Sequence, residues 1–297
     1  MDSEASLDLQ AICEYIIGVA RNAGDIVRTS KSTPKTITVK KNTADIVTET
    51  DKRVEDFLHE QLVGQYSRFD FLGEETHKTS SAITDRPTFI VDPIDGTSNF
   101  VHGMPDVCIS IGLVVGRQPV IGVVYNPIHD ELWWASKGHG AFYKRSNGPS
   151  QKLPLSWPPL EGLGPACIGI EWGSDREGPN FELNAKVFMA LARTTATGGK
   201  FTNSLRCTGS AAITICRVAA GQQDAFWECG CWAWDVSAAW CILTEAGGIM
   251  VDGHPGNWSP PIDNRRYLAV RPAESGHAPF VEEFWSIIGE QRSTYGP

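Results

Sequence analysis

Two aspartates three positions apart, in the run Asp92-Pro93-Ile94-Asp95-Gly96-Thr97, bring two carboxylates, a backbone carbonyl and a hydroxyl into one short stretch of chain. The run follows the apolar Phe89-Ile90-Val91, so a strand carries the first acid to a sheet edge and the turn folds the second back. Oxygen ligands of this kind suit Mg2+ better than zinc. Taken alone, the run also reads as an Asx turn punctuated by Pro and Gly. Gly73-Glu74-Glu75, after Phe71-Leu72, is a second candidate: Gly73 permits a tight strand exit and Glu74 points into a site, although a solvated loop is the plainer reading. Asp235 is a third, placed before a small-residue helix face, where it either caps the helix or joins a metal.

The elements that must position these acids follow from periodicity. Leu9, Ile12, Ile16, Ala20, Ala23 and Val27 describe an amphipathic opening helix. Thr36–Lys41 alternates, with Ile37 and Val39 on one side, as a short strand or hairpin arm. Val54, Phe57, Leu58, Leu62 and Tyr66 mark a second helix, with Thr48 and Asp51 as its capping pair. Val107–Leu113, Val120–Tyr125 and Glu131–Ala135 read as strands too close together for intervening helices, hence an antiparallel meander, with Gly138-His139-Gly140 as a further turn.

Residues 145–165 are rich in Pro, Gly and Ser and are the best boundary between an N-terminal α+β domain over 1–150 and a C-terminal α/β domain over 151–297. Beyond it, strands at Ala166–Ile170, Ile249–Val251 and Tyr267–Val270 alternate with helices around Asn180–Thr194, Ser210–Ala220, from Asp235 to about Ala246, and at the terminal Phe280, Phe284, Ile287 and Ile288.

The 297 residues carry a formal charge of -9, which argues against a broad nucleic-acid or membrane surface but not against a phosphate substrate, since a bound divalent cation reverses the local potential. No signal-peptide pattern and no membrane-length apolar run is present, so a soluble cytoplasmic protein is expected. The eight cysteines have no paired zinc spacing, and Cys13, Cys108, Cys167, Cys207 and Cys216 read as buried thiols.

Together, Val39–Asp51, Gly73-Glu74-Glu75, Asp92–Pro105, Gly209–Ala212 and Glu228–Ala238 resemble, in order and over nearly the whole chain, the inositol monophosphatase family of lithium-sensitive, Mg2+-dependent phosphatases. The resemblance implies a five-layer α-β-α-β-α sandwich, a homodimer and two or three Mg2+ per site. It makes Glu74, Asp92 and the Ile94 carbonyl ligands of one metal, and Asp92, Asp95 and Asp235 ligands of a second, with Glu74 and waters completing a weaker third. Thr97, helped by Asp51, orients the attacking water. Substrate contacts fall to Asp95, Gly96, Thr97, Gly209, Ser210, Ala211, Glu228 and Asp235, with Lys40 near the phosphate or water network and His102 near the approach. Ser210 stands where the family often has Thr, which keeps the hydroxyl donor and removes a methyl. Trp232 and Trp234 add bulk that narrows or shields the pocket, while Trp157, Trp172 and Trp227 read as packing or interface groups.

The expected function is hydrolysis of inositol monophosphate, a small phosphorylated polyol, by metal-activated water. One alternative is another phosphomonoester, such as a nucleotide 3'-phosphate, a sugar phosphate or histidinol phosphate. A noncatalytic metal-binding scaffold is a rival of a different class, opposed by the retention of the acids together with Thr97 and Asp51.

Overall fold

The apolar repeat that begins at Leu9 folds as α1 (Leu9–Ser30), burying Ile12, Ile16, Val19, Ala20, Ala23 and Val27 on one face. The computed structural model describes residues 7–30, 37–42, 46–77 and 82–296. β1 (Ile37–Val39) and β2 (Ile46–Thr48) pair as an antiparallel ribbon. Ile37 and Val39 are 46% and 51% exposed, so this alternation buries no face, and Thr36 lies outside the described residues. α2 (Glu49–Gln65) then opens with the expected capping pair, Asp51 accepting from the Thr48 N–H at 3.0 Å and the Thr48 hydroxyl accepting from the Thr50 N–H.

The first large sheet has the spatial order β3 (Asp70–Gly73), β4 (Thr88–Asp95), β5 (Cys108–Val115), β6 (Gln118–Asn126), β7 (Glu131–Ser136), β8 (Ala141–Arg145) and β9 (Gln151–Lys152). From β4 onward every neighbour is antiparallel, as the strand spacing predicts. The exception is β3, which runs parallel to β4; the connection over 74–87 is long enough for the crossover that a parallel pair requires. β8 extends the turn expected at Gly138-His139-Gly140 into one more hairpin.

The second sheet joins β10 (Cys167–Ile170), β11 (Ser204–Arg206), β12 (Ala225–Cys229), β13 (Ile249–Asp252) and β14 (Arg266–Val270) in the order β11-β10-β12-β14-β13. Its first three strands are parallel, and β14 is antiparallel to both β12 and β13. The accompanying helices are α3 (Thr97–His102), α4 (Gly178–Ala192), α5 (Ala211–Ala219), α6 (Ala233–Glu245) and α7 (His277–Ile288).

Three apolar cores fix the layering. α1 and α2 cover one face of the first sheet, through residues such as Ile16, Leu58, Ile109 and Ile111. α5 and α6 fill the space between the sheets, with Ile215, Ala238 and Ile242 against Val124 on one side and Phe226 on the other. α4 and α7 close the far face of the second sheet, where Leu183 and Phe284 meet Ile168 and Trp227. The result is the α-β-α-β-α sandwich expected from the sequence.

Small residues let α6 lie close to the first sheet. A Cβ on Gly122 would stand 1.9 Å from the Ala238 carbonyl oxygen, and one on Gly112 2.5 Å from the Ser237 hydroxyl. At Gly122 the atoms met are all Ala238 backbone, which leaves no side chain to yield. Gly122→Ala is therefore expected to destabilise the fold by about 3 kcal/mol and to displace α6. Urea unfolding with less than about 0.5 kcal/mol of change would show that helix and sheet are not packed this tightly.

Candidate metal and phosphate site

β4, an inner strand of the first sheet, carries Asp92 and Asp95 at its C-terminal end, and its pairing with β5 is irregular between them. The Ile94 N–H turns back to Asp92 Oδ1 at 3.0 Å. Gly96 has φ +93°, and a Cβ there would meet the Asp106 carbonyl at 2.8 Å and the Gly209 carbonyl at 3.1 Å, so only glycine lets these loops approach. Asn99 fastens the same junction, donating through Nδ2 to the carbonyls of Asp106 and Thr208 at 2.8 and 2.7 Å.

Thr97 opens α3, with Oγ1 3.0 Å from Asp51 Oδ1 and 3.1 Å from the Ile94 carbonyl. Asp51 is therefore both the capping residue of α2 and the partner of Thr97. Burial raises its pKa, against the opposing hydrogen bonds from Thr48 and Thr97. Thr97→Ala is expected to lower kcat about 100-fold with a smaller change in KM, because it removes the hydroxyl without touching a carboxylate. A kcat within about threefold of the unaltered protein would remove Thr97 from the reaction.

Glu74 leaves β3 with its N–H on the Val91 carbonyl at 3.2 Å. Asp235 lies in the first turn of α6, which starts at Ala233 rather than at the acid itself, and its Oδ2 accepts from the Trp232 N–H at 2.6 Å. The two readings of Asp235 are thus compatible, for Glu74, Asp92 and Asp235 each bring an oxygen within 4.8 Å of the others.

Lys40 donates to Glu74 Oε1 at 2.7 Å and Glu75 Oε1 at 2.9 Å. Burial works against the ammonium, but the two carboxylates outweigh it and raise its pKa. Asp92 is pushed well above the ordinary carboxylate range, first by burial and then by Glu74, Asp95, Asp235 and Asp51. Asp95 rises to about 6, mainly through burial. So much negative charge gathered on oxygen donors fits a divalent cation, which would restore the charged form of each acid.

Asp95 stands apart from the three clustered acids. Its Oδ2 accepts from Ser210 Oγ at 2.6 Å and from the Ala212 N–H at 2.8 Å, while Ser210 Oγ also caps α5 by accepting from the Ile213 N–H at 3.2 Å. The Ser210 donor is thus turned to Asp95. Gly209 has φ +73° and donates to Glu171 Oε1 at 2.8 Å, as does Thr208 at 2.6 Å. Glu171 had no motif to mark it; its one signal is an acid directly after the strand Cys167–Ile170.

A cavity of about 620 Å³ is lined by Glu74, Asp95, Ser210, Ala211, Glu228 and Asp235, among others. Glu228 reaches it from β12, its pKa raised by burial and then by Glu171. Trp232 and Trp234, stacked at 5.1 Å, form part of the wall, and Trp172 lines it too rather than serving only in packing. Trp227 is core, Trp157 is exposed, and His102 is exposed with Nδ1 on the Ser98 carbonyl. Cys207 is exposed, not buried as its small neighbours predict, because the loop before α5 lies at the surface; all eight cysteines are free.

A family model described as "Inositol monophosphatase family" matches residues 8–288. The chain belongs to the inositol monophosphatase family. It is 47% identical over 258 residues to inositol monophosphatase 2 of Saccharomyces cerevisiae, covering 84% of this chain and 85% of that protein. To inositol monophosphatase 1 of Sus scrofa it is 38% identical, over 88% of this chain and 89% of the other. The solved inositol monophosphatase from Anabaena (Nostoc) superposes with a TM-score of 0.74 at 27% identity, covering 97% of this chain and 99% of that one. Family membership and the acidic cluster together support metal-dependent phosphomonoester hydrolysis as the class of chemistry. No helix among the described residues is long and apolar enough to cross a membrane.

Proposed function

We propose that the protein hydrolyses an inositol monophosphate to inositol and inorganic phosphate, with Mg2+ and water. The observation that carries this reading is the convergence of Glu74, Asp92 and Asp235 beside the Thr97–Asp51 pair, at a cavity that also takes in Glu228. Glu74, Asp92 and the Ile94 carbonyl would hold one cation, and Asp92, Asp95 and Asp235 a second, with Glu74 contributing to a weaker third. Bound there, the cations supply positive charge to phosphoryl and leaving oxygens and make water more acidic.

The protein's own groups do the rest. Asp51 accepts a hydrogen bond from the Thr97 hydroxyl, which leaves a Thr97 lone pair to accept from and orient the attacking water. Ser210 and the Ala212 amide hold Asp95 in place, so α5 positions a ligand rather than presenting its full amide set to the phosphate. Gly209 and Ala211 border the alcohol, and Glu228 accepts hydrogen bonds from its hydroxyls. Lys40, now on Glu74 and Glu75, offsets negative charge at the rim. A cytoplasmic protein, dimeric by resemblance and with each chain divided at the Pro-, Gly- and Ser-rich residues 145–165, completes this reading.

Phosphate release measured over a panel of monoesters tests the substrate. Inositol 1-phosphate is expected to give a kcat/KM at least about tenfold above those of a nucleotide 3'-phosphate, a sugar phosphate and histidinol phosphate. Preference for one of the others would replace the alcohol and leave the metal chemistry standing.

A further inference from the structure

Arg265 and Arg266 are adjacent in sequence and unlike in surroundings. Arg266 satisfies itself, with Nε and Nη2 each 3.2 Å from the Asp252 carboxylate and Nη1 on the Tyr295 carbonyl at 2.6 Å. Arg265 makes no ion pair among the described residues. Among the described residues its one side-chain hydrogen bond runs from Nη2 to the Gly230 carbonyl at 2.8 Å, and its Nε is buried without a partner.

The guanidinium is nevertheless firmly placed. Its carbon lies 3.5 Å over the centre of the Trp232 ring and 5.0 Å from that of Tyr295, and the Gly230 N–H donates to the Arg265 carbonyl at 2.7 Å. The backbone there is left-handed, φ +64°, a conformation that costs any L side chain and persists only where its surroundings hold it.

Arg265 lines the same cavity as Glu228 and Asp235. The other cations on that lining are otherwise engaged: Lys41 pairs with Asp175, and Arg176 donates to the carbonyls of Gly173 and Asp175. An arginine fixed by stacking, with no acid of its own, has donors to offer whatever fills the cavity.

We propose that Arg265 is a specificity-determining residue whose guanidinium donates to acceptor oxygens on the alcohol moiety of the substrate. This rests on the phosphatase reading above. A carboxylate such as Glu228 only accepts, whereas an alcohol hydroxyl both donates and accepts, so Glu228 and Arg265 on one cavity provide complementary partners for an oxygen-rich alcohol. Hydroxyls of a polyol and the carboxylate of a hydroxy acid share this chemistry.

Arg265→Asn and Arg265→Lys test it, because Asn tolerates the left-handed backbone and Lys keeps the charge without the fork. Initial rates with Mg2+ are compared for inositol 1-phosphate, 2-phosphoglycerate and propyl phosphate, with thermal midpoints as a check on folding. For Arg265→Asn the loss in kcat/KM on at least one oxygen-rich ester is expected to exceed that on propyl phosphate by about 10- to 100-fold, mostly through KM, with partial recovery in Arg265→Lys. A larger loss on inositol 1-phosphate assigns hydroxyls to Arg265, and a larger loss on phosphoglycerate assigns a carboxylate. Equal losses on all three esters, as a purely structural arginine would give, or no loss beyond about twofold, overturn the proposal. If the unaltered protein turns over none of the three, the inositol monophosphate reading falls and the Arg265 role with it; turnover without discrimination removes the Arg265 role alone.

Discussion

Asp92→Asn is expected to lower turnover at least about a thousandfold while raising the thermal midpoint of the metal-free protein. The two effects have one cause. Asp92 is buried among Glu74, Asp95, Asp235 and Asp51, so its charge is costly in the folded state without a cation. The amide keeps an oxygen for the Ile94 N–H, which Asp92 Oδ1 now accepts at 3.0 Å, and removes the repulsion. It also removes the carboxylate expected to be shared by two cations, so added Mg2+ should stabilise the variant much less than the unaltered protein. Turnover within about tenfold of the unaltered protein, with contaminating phosphatase excluded, would sink the proposed centre.

Chelation with EDTA is expected to abolish phosphate release, and Mg2+ to restore it. It should also reverse the dependence of stability on pH. In the metal-free protein burial raises Asp95 from the ordinary 3.8 to about 6, and burial with Glu74 raises Glu75 from 4.5 to about 7. Raised carboxylates hold more protons folded than unfolded, so stability is greatest below the ordinary values and falls as pH rises from about 4 to about 7. For buried Asp95 alone the shift corresponds to about 3 kcal/mol across that window.

Cation binding requires the deprotonated acids, so the stabilisation by Mg2+ grows with pH and reaches about 2.7 kcal/mol at a hundred times Kd. Thermal midpoints at pH 5.0 and 7.5, each with EDTA and with Mg2+, separate the cases. A larger Mg2+ shift at pH 5.0 than at pH 7.5, or undiminished turnover in EDTA, would contradict a carboxylate metal site.

The layers were legible where one local rule sufficed. The i, i+4 spacing from Leu9 to Val27, the alternation in Val107–Leu113 and the capping pair Thr48/Asp51 each report a choice made by neighbours in sequence, and each folds as expected. Ile37 and Val39 alternate just as clearly but remain exposed, since periodicity identifies a face without stating that anything covers it. The parallel pairing of β3 with β4 was not legible either. Strand direction depends on the route of the connection, and an apolar pair such as Phe71-Leu72 reads alike in both orientations.

At the site, residue identity indicated chemistry before geometry was known. Asp92, Asp95, Glu74 and Asp235 are acids in an ordered set of motifs, and Thr97 and Asp51 are a hydroxyl and a carboxylate that the fold sets 3.0 Å apart. Partners from distant segments were hidden. Glu171 holds the Thr208 and Gly209 amides, Ser210 spends its proton on Asp95, and Arg265 rests on Trp232, all through contacts between segments brought together by the second sheet and the helices around it.

By itself, then, the sequence determined the long helices, the antiparallel meander and the inventory of acids, because these depend on side-chain chemistry and short-range spacing. Tertiary structure alone decided which acids meet within 4.8 Å, which way Ser210 donates and which arginine is left to face the cavity. Those outcomes depend on where α5, α6 and the two sheets come to rest, and glycines such as Gly96 and Gly122 set those distances by the atoms they lack.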